Sequence, residues 1–144
     1  MNYHYVESGL DNVWLSNGFV VKETAYGDAV AIEDVEGLHA AIGSMLANQT
    51  TRLSGLEFRF LRKELGLSQE SLADILDKSN QAVALWEKND KVPVMADRLI
   101  RGIYLEATTG NAKLMASIHL VNQLDHEIHN LSFEGGWHQD NKAA

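Results

Sequence analysis

The 144-residue sequence contains no cysteine and only one proline. Without cysteine the chain can form neither a disulfide nor a thiolate metal site, which suits a reducing compartment. Its apolar runs are too short to cross a membrane, and the opening segment MNYHYVESGL lacks the basic and apolar regions of a signal peptide. We therefore expect a cytoplasmic protein that does not enter a membrane.

Basic residues are also scarce, and they are unevenly placed. The chain has 12 Lys and Arg against 20 Asp and Glu, for a net charge of −8. Residues 52–101 hold nine of the basic residues and eight acids, which leaves this segment at +1 and the remaining chain at −9. Such a division is expected when one part meets phosphate, although ordinary helix surfaces also carry both signs. The charge permits DNA binding without requiring it.

The sequence lacks an arrangement of residues that supports catalysis. It has no Ser-His-Asp, paired-carboxylate or phosphate-loop pattern, and Asn17-Gly18 and Gly135-Gly136 are predicted to be turns. His126 and His129 are three residues apart, whereas a zinc-protease helix needs histidines four apart and a third ligand. Histidines on a helix surface are the simpler interpretation. We predict no enzymatic activity, no cofactor and no bound metal.

The first part of the chain is predicted to form a three-stranded antiparallel β-meander. Asn17-Gly18 is a strong hairpin signal, because both residues tolerate positive φ. β-branched and aromatic residues are concentrated in three runs, at 13–15, 19–21 and 29–32. A meander of this size is not stable alone, so we expect it to pack on the next element.

That element is predicted to be a helix from Asp34, a good N-cap, to about Ala47. Apolar residues recur along it at helical spacing: Val35, Leu38, Ile42 and Leu46. The polar run 48–52 follows and is interpreted as a short linker. Residues 1–48 are therefore predicted to form one unit.

Residues 67–93 predict two short helices joined by a tight turn. Ser68 is placed to cap the first helix and Ser79 to cap the second. The inward positions are apolar, and one of them is small enough to allow close crossing: Leu72, Ala73, Leu76, Val83 and Trp86. This is the plan of a helix-turn-helix, whose second helix is shaped to enter the major groove of DNA.

Two further helices flank this pair. Ser54 and Glu57 form a capping box that predicts a helix starting at Gly55, and Gly66 is placed to end it. Another helix is predicted from about 94 to 106. The helical unit is thus predicted to span residues 53–107.

The pattern resembles the Xre (lambda-repressor/Cro-like) helix-turn-helix family. The matching elements are Leu67-Ser68-Gln69-Glu70, Leu72-Ala73, Leu76, Ser79, Val83, Trp86-Glu87 and Pro93. The resemblance implies a mainly α fold, with a five-helix lambda-repressor-like helix-turn-helix domain preceded here by the small antiparallel β-meander and helix. It also implies that the function is DNA binding.

Three positions depart from the family pattern. Asp77 stands where the turn usually has glycine, and Lys78 stands where a small apolar residue is usual. Leu85 occupies a site that is often Arg or Gln in the second helix. Leu85 could touch a thymine methyl group, or it could pack on a neighbouring chain, and the sequence leaves both open.

Several residues of the helix pair are candidates for DNA contact. The resemblance implies that Gln69 bonds a phosphate while supporting the next helix, and that Glu87 ties that helix to a basic side chain. Asn80 and Gln81 lie where such helices reach base edges, and each can bond adenine in a bidentate manner. With the flanking basic residues, which are otherwise solvated charges, the candidates are Gln69, Ser79, Asn80, Gln81, Ala84, Leu85, Lys88, Arg52, Lys78 and Lys91.

The end of the chain is predicted to contain one more helix, at 112–131. Its apolar residues form a coiled-coil-like seam that would serve as a dimerisation element: Leu114, Val121, Leu124, Ile128 and Leu131. The tail, 132–144, is predicted to be frayed.

A second resemblance covers the order of the units. A hairpin unit, a linking helix and an Xre domain is also the order in MqsA-type (YgiT-type zinc-finger) antitoxins, and the segments YHYVESGLDNVWLSNG and LSGLEFRFLRKELGLSQ are similar to members of that group. Their zinc site needs two CxxC pairs, so it does not carry over to a chain without cysteine.

The sequence therefore predicts a sequence-specific transcriptional regulator that binds double-stranded DNA. We expect a homodimer that represses from a palindromic operator, and the antitoxin of a toxin–antitoxin pair, with a toxin protein as partner, is one role that fits. The alternative is a protein–protein interaction module whose helix-turn-helix does not read DNA, which Leu85 and the acidic net charge favour.

Overall fold

Strands precede helices in the described part of the chain. A computed structural model describes residues 2–109 and 130–139. Within these residues the elements are β1 (Tyr3–His4), a 3₁₀ turn (Val6–Ser8), β2 (Trp14–Leu15), β3 (Phe19–Thr24), β4 (Gly27–Ile32), α1 (Val35–Asn48), α2 (Gly55–Glu64), α3 (Gln69–Leu76), α4 (Asn80–Trp86), α5 (Val94–Thr108), β5 (Leu131–Phe133) and β6 (Trp137–Gln139). None of the helices found in these ranges has the length and apolar character needed to span a membrane.

The strands form separate pairs, so the predicted three-stranded meander is wrong. β2 pairs with β1, and β3 pairs only with β4. Asn17-Gly18 joins two strands that do not pair, and the carbonyl of Gly18 instead accepts a hydrogen bond from the Glu33 amide at 2.9 Å. Tertiary packing overrides the local turn signal, because the stacking of Trp14 on His4, with ring centroids 4.1 Å apart, holds β2 against the chain start.

The last strands correct two further predictions. Leu131 begins β5 and does not end a helix, and β5 pairs antiparallel with β6 across Gly135 and Gly136, both at positive φ. The segment 131–139 therefore forms a hairpin that overlaps the region 132–144, which is predicted to be a frayed tail. Leu114, Val121, Leu124 and Ile128, the other residues of the predicted seam, lie outside the described residues.

Helix α1 begins where the sequence predicts and docks on the helical unit. Asp34 caps it by accepting a hydrogen bond from the Gly37 amide at 3.1 Å. Ile42, Gly43 and Leu46 are buried in the helix's inner face. A Cβ added to Gly43 would lie 2.0 Å from the Tyr104 hydroxyl, so the missing side chain is what lets α1 approach α5 this closely.

A polar chain crosses from the start of the protein to α2. The Tyr5 hydroxyl lies 2.8 Å from His39 Nε2, and His39 Nδ1 lies 3.0 Å from Glu64 Oε1. Burial raises the pKa of the Tyr5 hydroxyl, and the charges of Glu7 and Glu64 raise it further. Tyr5 therefore stays neutral and able to donate at physiological pH.

The linker between α1 and α2 is fixed to α5. Asp97 Oδ1 accepts a hydrogen bond from the Leu53 amide at 2.8 Å, and Arg101 donates to the carbonyl oxygens of Gln49, at 2.5 Å, and Thr51. Arg101 is also paired with Asp97 at 2.8 Å. Leu53 itself is fully buried. The linker is therefore part of the packed structure.

One core joins the two halves of the described chain. Side chains from residues 1–48, such as Leu10 and Leu46, belong to the same buried cluster as Phe58, Leu72 and Ile100. Tyr5, Leu10 and Val13, together with α1, bury apolar side chains in this cluster, whereas β3 and β4 are largely exposed. The N-terminal residues and the helix pair therefore hold fixed relative positions.

Two aspartates at positive φ generate a stability prediction. Asp77→Gly is expected to raise the free energy of unfolding by about 0.5–1 kcal/mol. Asp77 has a φ of 54°, which the Cβ of aspartate disfavours and which glycine adopts without this penalty. Asp34→Gly is the matched control: φ is 46°, but the substitution also removes the N-cap of α1, so it should gain less or lose stability. Urea denaturation of both variants checks this, and equal gains would contradict it.

Candidate nucleic-acid interface

Helices α3 and α4 form the predicted helix-turn-helix. Ser68 Oγ accepts from the Ser71 amide at 3.0 Å and Ser79 Oγ accepts from the Ala82 amide at 3.1 Å, so both predicted N-caps are confirmed. Asp77 makes the turn in the left-handed conformation, and the Lys78 amide then bonds the carbonyl of Ala73 at 2.9 Å. The chain enters α4 immediately afterwards.

The inner faces of the pair are buried as the pattern predicts. Leu72, Ala73 and Val83 are buried, and the ring of Trp86 meets Phe58 edge-on with centroids 6.1 Å apart. A Cβ on Gly55 would lie 2.5 Å from the carbonyl oxygen of Trp86, so the start of α2 touches the backbone at the end of α4. This contact fixes where α4 ends.

A buried ion pair connects three helices behind this interface. Arg62 on α2 donates from Nε to Glu87 Oε2 at 2.6 Å and from a terminal nitrogen to Glu87 Oε1 at 3.0 Å. Another nitrogen of Arg62 donates to the carbonyl of Leu67 at 2.9 Å. The Gln69 amide donates to Glu87 Oε1 at 3.0 Å. The two charged side chains are only 9% and 4% exposed. We call Arg62, Glu87 and Gln69 the polar centre.

The hydrogen bonds of the polar centre describe how Gln69 and Glu87 could fill their predicted roles. Glu87 follows α4 and is bonded to α2 and α3, so it holds the second helix in place as the resemblance implies. Gln69 supports that arrangement through Glu87, while its contact with phosphate stays a prediction. Arg62 was not singled out from the sequence, although it lies four residues after Phe58 on an apolar helix face, a spacing that indicates an inward-pointing side chain.

The outward face of α4 presents the predicted base-contacting residues. Asn80 and Gln81 are exposed on its first turn, and neither side chain bonds another residue within 2–109 or 130–139. Leu85 is 59% exposed and Ala84 is partly buried. The Ser79 hydroxyl is already used by the cap, so Ser79 has a structural role here in addition to any DNA contact.

The basic residues around the pair are free in the described structure. Two of the nine in 52–101 serve internal ion pairs, and the other seven are exposed: Arg52, Arg59, Lys63, Lys78, Lys88, Lys91 and Arg98. Five exposed acids remain in the same range: Glu64, Glu70, Asp74, Asp77 and Asp90. The exposed surface of this segment is thus only weakly basic.

The linker before α2 and the loop after α4 are hydrogen-bonded to each other. The Val92 amide bonds the carbonyl of Leu53 at 3.1 Å, and the Gly55 amide bonds that of Asn89 at 3.0 Å. Arg52 and Lys91, two of the predicted phosphate contacts, each precede one of the bonded residues Leu53 and Val92.

Comparison with known families agrees with this geometry for the helical unit. Residues 58–102 match the helix-turn-helix family. The match runs from the first turn of α2 into α5 and contains both the polar centre and the outward face of α4. No curated protein and no solved structure matches the chain. Nothing in these comparisons supports the finer resemblance to MqsA-type antitoxins.

No cluster of His, Asp or Glu that could hold a metal ion occurs in the ranges 2–109 and 130–139. His126 and His129, the pair weighed as metal ligands from the sequence, lie outside those ranges.

The polar centre generates a prediction about stability. Arg62→Met and Glu87→Leu are each expected to lower the free energy of unfolding by about 3–5 kcal/mol, because each leaves its partner charged and buried. The double variant removes both charges and should lose far less than the two single losses together. Arg59→Met, on an exposed site of the same helix, is the control and should change stability by about 0.5 kcal/mol or less. Additive losses in urea denaturation would show that the pair is not coupled.

Proposed function

We propose that the protein is a sequence-specific DNA-binding regulator of the Xre type, with α4 as its recognition helix. The observation that supports this most is the exposed first turn of α4, where Asn80 and Gln81 have no bonds to other described side chains while the polar centre holds the helix from behind. Bidentate hydrogen bonding to adenine requires amide groups that are unpaired and held in a fixed place. Little conformational entropy is then lost on binding.

The contacts divide into those that read bases and those that position the protein. Asn80 and Gln81 would pair with adenine edges, and Leu85 would meet a thymine methyl group. Lys88, Lys91 and Arg52 would bond phosphates, and Gln69 would bond a phosphate at the start of α3. The protein acts by binding alone, without catalysis or a cofactor, in the cytoplasm.

The finer proposal is a lambda-repressor-like domain that represses as a homodimer on a palindromic operator. A helix-turn-helix protein reads two half-sites when two recognition helices lie about one DNA turn apart, roughly 34 Å. A single chain supplies one such helix, so a second copy is needed. The two chains together would double the contacts and cover the promoter DNA.

A role as the antitoxin of a toxin–antitoxin pair is supported by the charge of the N-terminal residues. Residues 1–51 carry seven acids and one lysine, and all eight side chains are exposed: Glu7, Asp11, Lys22, Glu23, Asp28, Glu33, Asp34 and Glu36. Such a surface repels DNA and attracts a basic protein. A basic toxin would therefore bind these N-terminal residues.

The alternative, an interaction module that does not read DNA, is favoured by the exposure of Leu85. An apolar side chain that is 59% exposed on the outward face of α4 is also suited to a protein contact. The two functions differ in whether any duplex sequence is preferred, and that preference is measurable.

Selection of bound duplexes from a random pool tests DNA reading. We expect enrichment of a palindromic site containing adenines, and two chains per selected duplex by light scattering. Gln81→Ala should then weaken binding to that site by about 1–3 kcal/mol and relax the preference at one base pair of each half-site.

Charge variants distinguish contacts to bases from contacts to phosphates in the same experiment. Lys88→Ala should weaken binding to all sequences and reduce the slope of log K against log salt by about 1, because one phosphate contact is lost. Lys22→Ala, an exposed lysine on β3, is the control and should change neither quantity. If no sequence is enriched at moderate salt, DNA reading is rejected and the interaction module replaces it.

A further inference from the structure

A cleft between the α1–α2 linker and α5 is lined by more basic than acidic side chains. It has a volume of about 490 Å³, and its polar lining includes Thr50, Arg52, Asp97, Arg98 and Arg101. That volume lies within the range of small-molecule sites, which is about 300–1,000 Å³. Val94 and Leu105 form apolar parts of the wall.

The charges of Arg101 and Asp97 are satisfied internally. Arg101 donates to two linker carbonyls and to Asp97, while Asp97 Oδ1 also accepts from the Leu53 amide. Both side chains are mostly buried, at 14% and 8% exposure. They form the rigid base of the cleft, and their charges cancel.

Arg52 and Arg98 are left without a counter-charge. Both are exposed, and neither forms an ion pair within 2–109 and 130–139. They come from different elements, Arg52 from the linker and Arg98 from α5, and both line the same cleft. The cleft therefore has a net charge of +2 in the described structure, with the only carboxylate of its lining neutralised.

We infer that this cleft binds a phosphate group between Arg52 and Arg98. Guanidinium groups bond phosphate oxygens in pairs, and two of them balance a dianion. Phosphate suits the site better than a simple carboxylate because it presents more oxygens to two donors on opposite walls. The phosphate can belong to the DNA backbone or to a free phosphorylated molecule, since Arg52 lies beside the loop that follows α4.

The inference has a consequence for regulation in either case. A phosphate held between the linker and α5 joins the two elements that Arg101 and Asp97 already connect. Bound DNA would extend its footprint from α4 to this cleft, whereas a free phosphorylated molecule would stabilise the junction between residues 1–48 and the helix-turn-helix. The DNA case rests on the proposed function, and the free-ligand case does not.

Two measurements on the full chain test the site. The first is the melting temperature with about 10 mM inorganic pyrophosphate against sodium chloride of equal ionic strength. The second is the salt slope of binding to the selected duplex. The test variant is Arg52→Gln with Arg98→Gln, and the matched control is Arg59→Gln with Lys63→Gln, which removes two exposed charges from α2. Circular dichroism confirms that both variants are folded.

A free phosphate ligand predicts that pyrophosphate raises the melting temperature of the wild type and the control by about 3 °C and leaves the test variant unchanged. A DNA phosphate predicts that the salt slope of the test variant falls by about 2 relative to the control. Either result supports the site and identifies the source. If the test variant equals the control in both measurements, the site does not exist. A wild type that binds no DNA but is stabilised by pyrophosphate would reject the proposed function and keep the cleft.

Discussion

The ion pair between Arg62 and Glu87 is the constraint on which the helix-turn-helix depends. Two charges with so little exposure are tolerated only when their hydrogen bonds are complete, and here Leu67 and Gln69 complete them. Both buried charges stay paired only when α2, α3 and the end of α4 keep this arrangement. The direction of the outward face of α4 is set by that arrangement. An apolar contact at the same place would allow sliding, since apolar packing has little directional preference.

The same principle operates at the junction with the N-terminal residues. Asp97 and Arg101 satisfy the backbone of the linker, and the chain from Tyr5 through His39 to Glu64 connects the protein's start to α2. Each set of polar groups is bounded by buried apolar side chains of the shared core. The N-terminal residues around Tyr5 and helix α1 are therefore attached to the helical unit by directional contacts as well as by buried apolar side chains.

Local signals in the sequence were sufficient for the helices and insufficient for the strands. The caps at Asp34, Ser54, Ser68 and Ser79 depend on a few adjacent residues, so their positions could be predicted and are confirmed. The pairing of β2 with β1 depends on residues ten or more positions apart, and the Asn-Gly turn signal gives no information about it. The exposed residues of α4 followed from helical spacing. Arg62, Arg98 and Arg101 were not recognised, because an arginine's partner across the fold has no signature in the local pattern.

Gly55 determines how closely α2 can approach the end of α4. Its backbone lies against the carbonyl of Trp86 more closely than any side chain would allow. A contact made by backbones alone has no rotatable group that could absorb a displacement. The start of α2 and the end of α4 are therefore held at one spacing. Because α2 also carries Arg62, any side chain at position 55 would push the end of α4 away from α2 and displace the ion pair with Glu87 as well.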